Sequence, residues 1–201
     1  MHIKHLTHKD YSRQPWKNGG GITLEIARED IEHRMLWRVS LANVSSSGPF
    51  SDFTGYRRTI MLLSGEGMVL RAAGDVEVRL DRPHLPYEFD GSLAVDCQLI
   101  DGPVEDFNLI VDAAHAKGTL GVLDIDATPT TIRIAHDVLL LFVLSGMLKV
   151  CAAGKTLNLG EREMLRMDHK DQRLEGACLS VLAGGGRVQL ARVGIDLHRP
   201  I

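Results

Sequence analysis

Apolar and polar residues alternate in many short runs along the chain, and this alternation predicts β-strands. The segments 22–26 (ITLEI) and 36–42 (LWRVSLA) alternate with a period of two, which places every second side chain on the same face of a strand. Further strand-length runs rich in β-forming residues are TIMLL, EVRL, LAVDCQLI, VLLLFVL, KTLNL, ACLSVL and RVQLARVG. Only 105–118 (EDFNLIVDAAHAKG) and 161–172 (EREMLRMDHKDQ) allow a helical turn or two. The pattern therefore predicts an all-β protein with the strand spacing of a barrel or jelly roll.

A weak internal repeat indicates that the chain was built by duplication. LLSG begins at Leu62 and VLSG begins at Val143, 81 positions later, and Cys97 and Cys178 are also 81 positions apart. Two landmarks at one offset favour a real repeat over a coincidence of common residues. We therefore expect two tandem β-rolls, residues 1–117 and 118–201, in one compact body, with 118–131 (GTLGVLDIDATPTT) as their connection.

Composition and charge narrow the class of protein. The 201 residues are 44% hydrophobic and 24% charged, and the net charge of −3 gives no reason to expect a nucleic acid or an anionic membrane as partner. No apolar run approaches the roughly 18 residues of a membrane span, and the first residues lack the apolar core of a secretory signal. Three scattered cysteines are too few for a disulfide framework. These features predict a cytoplasmic protein.

Three consecutive glycines, Gly19 to Gly21, stand in the segment PWKNGGGITLEI (15–26). Their spacing matches neither type of glycine-rich phosphate loop, and the segment that follows is a predicted strand, so no helix N-terminus is offered to a nucleotide. Two interpretations stay open. The glycines form a flexible turn, or their missing side chains leave room for a ligand, with Trp16, Lys17 and Asn18 at the rim of a pocket.

Arg38 is the sharpest single indication of a binding site. It lies in an apolar strand and shares a face with Ser40 and Ala42, whose small side chains leave space around it. A buried arginine keeps its charge and needs a partner or an anionic ligand, and Glu25 is the carboxylate that the sequence offers. The alternation equally allows Arg38 to point outward with Trp37 packed inward.

Other polar residues are candidates for the same site. Arg58 precedes the apolar run TIMLL and can enter the same cavity, and Asn108 offers both donors and an acceptor. Asp106 is expected either to hold an arginine in place or to form a turn after Gly102. Trp16 and Phe107 are expected either to wall the site or to fill the core.

The sequence gives little support for metal or nucleophilic chemistry. It contains no H-x-H pair, and His84 with Glu88 alone would underfill a metal site. It contains no G-x-S-x-G motif either. Glu25 and Asp106 remain a conceivable acid–base pair, although no spacing requires it. We therefore predict no metal and no cofactor.

Three stretches in order resemble signatures of the HutD/Ves family, the histidine-utilisation protein D family: PWKNGGGITLEI (15–26), WRVSLANVSSSGPFSDFTGYRR (37–58) and DGPVEDFNLI (101–110). The resemblance implies a bicupin, two RmlC-like jelly rolls in one chain. It also departs from the family pattern, because Arg57 stands where an acidic residue is usual and Asp112 lies where an arginine is often found. The predicted ligand-binding residues are Trp16, Asn18, Thr23, Glu25, Arg38, Ser40, Arg58, Asp106 and Asn108.

The resemblance also suggests a function. It implies a regulatory protein of histidine or related amino-acid catabolism that binds a small carboxylate-bearing metabolite, such as a formylated or formimino glutamate or urocanate. One alternative is a metal-independent hydrolase or isomerase acting on such a metabolite, although the sequence favours a protein without enzymatic activity. Another is a stress-related structural protein with a vestigial pocket. The sequence leaves a homodimer open.

Overall fold

The computed structural model describes residues 2–17, 19–73, 76–152, 154–168 and 178–198, excluding the side chains of Lys155 and Cys178. Within these ranges the chain is all-β, with a single 3-10 turn at His8–Asp10. None of the described residues belongs to a helix that is long and apolar enough to cross a membrane. The strands are β1 His2–Leu6, β2 Ser12–Pro15, β3 Gly21–Ile31, β4 Arg34–Val44, β5 Gly48–Pro49, β6 Tyr56–Ser64, β7 Met68–Ala72, β8 Val76–Leu80, β9 Tyr87–Asp90, β10 Val95–Leu99, β11 Val104–Asp112, β12 Ala116–Ile125, β13 Thr130–Arg133, β14 Val138–Ser145, β15 Leu148–Ala152, β16 Lys155–Leu159, β17 Met164–Asp168, β18 Cys178–Ala183 and β19 Val188–Leu197.

The chain forms two compact units. The N-terminal unit contains residues 11–118 and His198, and the C-terminal unit contains residues 2–10 and 119–197. The change of unit after residue 118 lies one position from the predicted boundary. The first ten residues lie in the other unit, because β1 pairs antiparallel with β17, from His2 opposite Asp168 to Leu6 opposite Met164.

The two units share one strand topology. The N-terminal unit has a six-stranded sheet in the order β2-β3-β4-β11-β6-β9 and a four-stranded sheet in the order β5-β10-β7-β8. The C-terminal unit has the orders β1-β17-β14-β19-β12 and β13-β18-β15-β16. Read from β12 backwards, the strands β12, β19, β14 and β17 correspond to β4, β11, β6 and β9, and the two four-stranded sheets correspond strand for strand. The strands β1, β2 and β3 have no counterpart in the other unit. Each of these four sheets of described strands is open rather than closed on itself.

The sequence repeat falls on matching places in this topology. LLSG and VLSG lie at the ends of β6 and β14, and the final glycine of each motif has a positive φ, 94° at Gly65 and 85° at Gly146. A side chain on either glycine would strike the backbone of the neighbouring strand segment, at Pro103 or at Arg187. The same tight turn is therefore used twice, which supports the interpretation of the repeat as a duplication.

The two units differ in what fills the space between their sheets. In the C-terminal unit the inner positions of β14 are Leu139, Leu141 and Val143, and all three belong to a large apolar cluster that also contains Leu190 of β19. In the N-terminal unit the apolar cluster includes Ile60, Leu62, Leu70 and Phe89. At the position 81 residues before Leu139, however, the chain has Arg58. The inner face of the N-terminal unit is thus polar where its counterpart is apolar.

The helical turns that the sequence allowed are not formed in 105–118 or in 161–168, the described part of the second segment. Residues 104–112 form β11, which lies between β4 and β6 in the interior of the six-stranded sheet. Every residue from Phe107 to Asp112 is buried, because both faces of the strand are covered. Burial therefore does not alternate along this part of the strand. Residues 164–168 form β17, while residues 169–172 lie outside the described part.

We predict that Gly194→Ala destabilises the protein. A β-carbon at Gly194 would lie 2.3 Å from the His136 ring, which packs directly over this strand. Gly121→Ala is the matched control, because Gly121 also lies in a strand of the C-terminal unit and nothing stands within 4 Å of its β-carbon position. Urea unfolding should show a loss of about 1 to 3 kcal/mol for Gly194→Ala and no loss for Gly121→Ala. Equal stabilities of the two variants would contradict the packing described here.

Candidate functional site

A cavity of about 570 Å³ opens on the inner face of the six-stranded sheet. Its volume falls in the range of small-molecule sites. It lies entirely within the N-terminal unit, and its walls combine cations, neutral hydrogen-bonding groups and aromatic rings. The lining residues are Pro15, Trp16, Lys17, Thr23, Arg38, Ser40, Ala42, Val44, Pro49, Phe50, Ser51, Phe53, Arg58, Ile60, Asp106, Asn108 and Ile110.

Strand register brings the polar side chains together. Along β4, β11 and β6, residues that are directly opposite one another point to the same face of the sheet. Three rows result, Arg38–Ile110–Arg58, Ser40–Asn108–Ile60 and Ala42–Asp106–Leu62. On β3, Thr23 and Glu25 extend the rows of Ala42 and Ser40. The two arginines thus stand on either side of Ile110, with their Cα atoms about 10 Å apart, twice the spacing of neighbouring strands.

Arg58 is buried, with 7% of its surface exposed. Its guanidinium carbon lies 5.1 Å from the ring centres of Phe50 and Phe53 and 4.9 Å from that of Phe89. One terminal nitrogen donates a hydrogen bond of 3.4 Å to Asn108 Oδ1. Burial lowers the pKa of Arg58 to about 10, which the negative charge of Asp106 opposes. Arg58 therefore stays charged at neutral pH, and its Nε finds no hydrogen-bond partner in the described part of the chain.

Arg38 is half-buried on the other side of Ile110, and its guanidinium carbon lies 5.4 Å from the centre of the Phe53 ring. Burial lowers its pKa, and the negative charge of Glu25 opposes this effect. The expected ion pair between Arg38 and Glu25 is nevertheless not formed. Glu25 instead lies 4.0 Å from Arg28, and among the described residues neither Arg38 Nε nor Glu25 Oε2 has a hydrogen-bond partner.

Asp106 is the acidic member of the site and is 1% exposed. Its Oδ1 accepts a short hydrogen bond from Asn108 Nδ2. Burial raises the pKa of Asp106 to about 7, although the positive charge of Arg58 and the hydrogen bond from Asn108 oppose that rise. The turn-forming role considered for Asp106 is wrong, because the residue lies within β11 and opposite Ala42 of β4.

The glycine segment shapes the rim of the cavity. Gly19 adopts φ 72°, and its amide donates to the Trp16 carbonyl at 3.1 Å to form a turn. Gly21 has a different role, since a β-carbon there would lie 3.1 Å from the Trp16 ring and 2.5 Å from the backbone oxygen of Asn43. Trp16 can therefore lie flat against the strand, where its Nε1 donates to Thr23 Oγ1 at 2.8 Å. Asn18, a predicted site residue, lies outside the described residues.

Several other candidates lie away from the cavity. Arg57 points to the opposite face, where it pairs with Glu88 at 2.7 Å and Asp90 at 3.6 Å, so it does not supply a second cation to the site. Phe107 is fully buried on that opposite face and does not wall the cavity. Asp112 is buried and pairs with Arg34 at 2.8 Å.

The metal candidates are not brought together either. Glu88 pairs with Arg57, and His84 lies in the turn that precedes β9. Among the described residues, no three histidine, cysteine, aspartate or glutamate side chains are grouped so that they could hold a metal ion. Cys97 is buried on β10, and burial raises the pKa of its thiol to about 12.

Two aromatic residues of the site were not predicted from the sequence. Phe50 and Phe53 lie between β5 and β6 in a segment without regular alternation, yet both rings stack against Arg58. The sequence did contain an indication of these two residues, because large apolar side chains in a segment of serine, glycine and aspartate are unusual for an exposed loop. Such residues are expected to pack against something.

We predict that the burial of Asp106 makes the folded protein less stable as pH rises. The pKa of a free aspartate is 3.8, whereas that of Asp106 is about 7, so only the folded state holds this proton between these values. The stabilisation is complete below pH 3.8 and is lost as pH rises through about 7. Relative to Asp106→Asn, the free energy of unfolding of the wild type should fall by up to roughly 1.4 kcal/mol per pH unit in this window. Chemical unfolding at pH 4 to 8 tests this, and parallel curves would contradict it.

The chain is similar in sequence to proteins from Pseudomonas putida and Cronobacter sakazakii. It is 37% identical over 175 residues to an uncharacterized 21.2 kDa protein in the hutC 3′ region of Pseudomonas putida, covering 84% of this chain and 88% of that protein. It is 33% identical over 132 residues to Protein Ves of Cronobacter sakazakii, covering 65% of this chain and 70% of the relative.

Solved structures are similar over nearly the whole chain. HutD from Pseudomonas fluorescens SBW25, determined in a formate condition, is 34% identical with a TM-score of 0.82, covering 98% of this chain and 100% of that one. A cupin 2 conserved barrel domain protein from Leptotrichia buccalis shares only 9% identity but a TM-score of 0.60, over 88% of this chain and 89% of that one, which indicates a cupin-like fold. The family model described as HutD matches residues 8–183. The chain therefore belongs to the HutD family, whose name refers to histidine utilisation.

Proposed function

We propose that this protein binds a small carboxylate-bearing metabolite in the cavity of its N-terminal unit, without a metal, and acts as a regulator in histidine or related amino-acid catabolism. The observation that carries this proposal is the pair of arginine Nε groups, on Arg38 and Arg58, that are buried beside the cavity with no hydrogen-bond partner among the described residues. Buried donors without partners are rare and unfavourable. An anion in the cavity would satisfy both.

The chemistry of the walls supports a carboxylate in particular. A guanidinium group presents parallel N–H donors that match the two oxygens of a carboxylate, and such charge-assisted hydrogen bonds are strong. Asn108 and Ser40, in the row beside the arginines, add neutral hydrogen-bonding groups. The cavity of about 570 Å³ leaves room for more than a carboxylate. Formylated or formimino glutamate and urocanate are the candidates that the family resemblance supplies.

We also propose that each unit is one β-roll, so that the chain is a bicupin. The repeated strand order and the paired turns at Gly65 and Gly146 support a duplicated β-roll. The similarity to a cupin barrel protein at a TM-score of 0.60 supports the cupin type. A cytoplasmic location agrees with the reduced, unpaired state of Cys97 and Cys151.

A second candidate function is a metal-independent enzyme acting on the same class of metabolite. One observation favours it, namely that the pKa of Asp106 lies at about 7 inside the cavity, as suits a general acid or base. Binding without turnover in a screen of these metabolites would favour the regulator, and product formation abolished by Asp106→Asn would favour the enzyme. The open cavity with its polar walls gives less support to a vestigial pocket.

We predict that Arg38→Met and Arg58→Met each weaken the binding of the carboxylate ligand. Methionine keeps much of the apolar stem but removes the charge, and the loss of a buried charged hydrogen-bond partner costs about 2 to 5 kcal/mol, or at least about 30-fold in affinity. Calorimetric titration with N-formylglutamate, formiminoglutamate, urocanate and formate measures this effect.

Arg57→Met is the matched control, because Arg57 is the chain neighbour of Arg58 but faces away from the cavity and pairs with Glu88. It should bind as the wild type does. An equal loss of affinity in Arg57→Met would mean that the arginines act through the general charge of the protein and that the cavity is not the site.

We predict that the protein purified without a histidine tag contains no stoichiometric transition metal. The reason is that the described residues contain no group of three side chains that could hold a metal, and that Glu88 is exposed and paired with Arg57. Elemental analysis measures the content directly. One zinc, iron or manganese per chain that disappears in His84→Ala would contradict the metal-free part of the proposal.

A further inference from the structure

Asp106 is unusual because a buried carboxyl group lies in the cavity proposed to bind an anion. Among the described residues no lysine, arginine or histidine lies within ion-pair distance of it, and its hydrogen bond comes from the neutral amide of Asn108. Arg58 acts on Asp106 through space, from the row of Ile110 on the same sheet face. No ion pair therefore stabilises the charged form of this carboxyl group.

We propose that the cavity takes up one proton with each anion that it binds, and that Asp106 is the group that holds this proton. The inference rests on the proposed function, since it concerns the same site. In the balanced step, the anion leaves water for the arginines, the Asp106 carboxylate accepts a proton from solvent, and a neutral carboxylic acid results. No bond in the ligand is formed or broken.

The physical cause is repulsion between like charges in a poorly solvated space. A carboxylate ligand held by Arg38 and Arg58 lies on the sheet face that carries Asp106, so two negative charges would share the cavity. Protonation of Asp106 removes one of them. Because Asn108 donates to Oδ1, a proton on Oδ2 leaves the existing hydrogen bond intact and provides the cavity with a new O–H donor.

The other ionisable groups near Asp106 do not replace it in this role. Glu105 is its neighbour on β11, where alternation turns it to the opposite face, and Glu25 stands two strands away on β3 beside Arg28. Cys97 faces Asp106 from β10, and burial keeps its thiol neutral. Lys17 lies exposed at the rim of the cavity, away from the buried carboxyl group. The raised pKa of Asp106 agrees with a group that is ready to accept a proton near neutral pH.

The test is calorimetric titration of wild-type protein with formate and with N-formylglutamate between pH 6 and pH 8.5. Both probes keep their charge over this range. Each titration is repeated in Tris and in imidazole, two cationic buffers of different ionisation enthalpy that do not compete for an anion site. The difference in observed enthalpy between the buffers gives the number of protons taken up.

We expect the affinity to fall by up to about tenfold for each pH unit above the pKa of Asp106, which is about 7. Proton uptake should rise from near zero at pH 6 towards one per ligand at pH 8.5. Asp106→Asn should bind with the same affinity at every pH, with no proton uptake, because asparagine resembles the neutral acid. Glu105→Gln is the matched control and should still take up a proton, with its onset at slightly lower pH because the Glu105 charge raises the pKa of Asp106.

The outcomes separate this inference from the function on which it rests. Binding with constant affinity and no proton uptake in the wild type would overturn the inference alone, and that measurement needs no variant. Proton uptake that persists in Asp106→Asn would overturn the assignment to Asp106. Failure of both probes to bind at any pH would overturn the proposed anion site and this inference with it.

Discussion

The structure of the N-terminal unit depends on two guanidinium groups that lie on the inner face of a β-sheet and form no ion pair with a carboxylate. A buried charge is unfavourable unless the protein or a ligand compensates for it. Three phenylalanine rings and the Asn108 side chain provide part of the compensation for Arg58, through cation–π contacts and one hydrogen bond. The rest of the compensation has to come from a molecule in the cavity. The open space and the Nε donors without partners follow from this arrangement, whereas the raised pKa of Asp106 comes from its own burial and is opposed by Arg58.

The alternation of the sequence was sufficient to predict which side chains share a face. Arg38 and Ser40 lie on one face of β4 because residues two apart in a strand point the same way, and the same rule groups Asp106 with Asn108. Which strands are neighbours could not be deduced, because pairing is set by contacts between distant segments. The family resemblance supplied that link by naming residues from β3, β4, β6 and β11 as one site.

The failures of the sequence analysis have physical reasons as well. The continuous apolar run of β11 is only Leu109–Val111, and a run this short fits a strand or a helix equally well. Phe50 and Phe53 were missed because they belong to an irregular segment, in which no periodic pattern indicates the direction of each side chain. The pairing expected between Arg38 and Glu25 failed because a strand bulge lies between Glu25 and Ala27, beside Arg28, and brings Glu25 to that arginine. A shift of this kind leaves no trace in the pattern of the sequence.

The position of β1 has a consequence for the order in which the chain can fold. His2–Leu6 is synthesised more than 150 residues before its partner Met164–Asp168. At a synthesis rate of about 5 to 20 residues per second, β1 waits for roughly ten to thirty seconds before it can pair. During that time β1 is an unpaired strand, and unpaired strands can pair wrongly with other segments or other chains. Its sequence, HIKHL, carries two histidines and a lysine among two apolar residues, and this polar character suits a segment that must stay soluble while it waits.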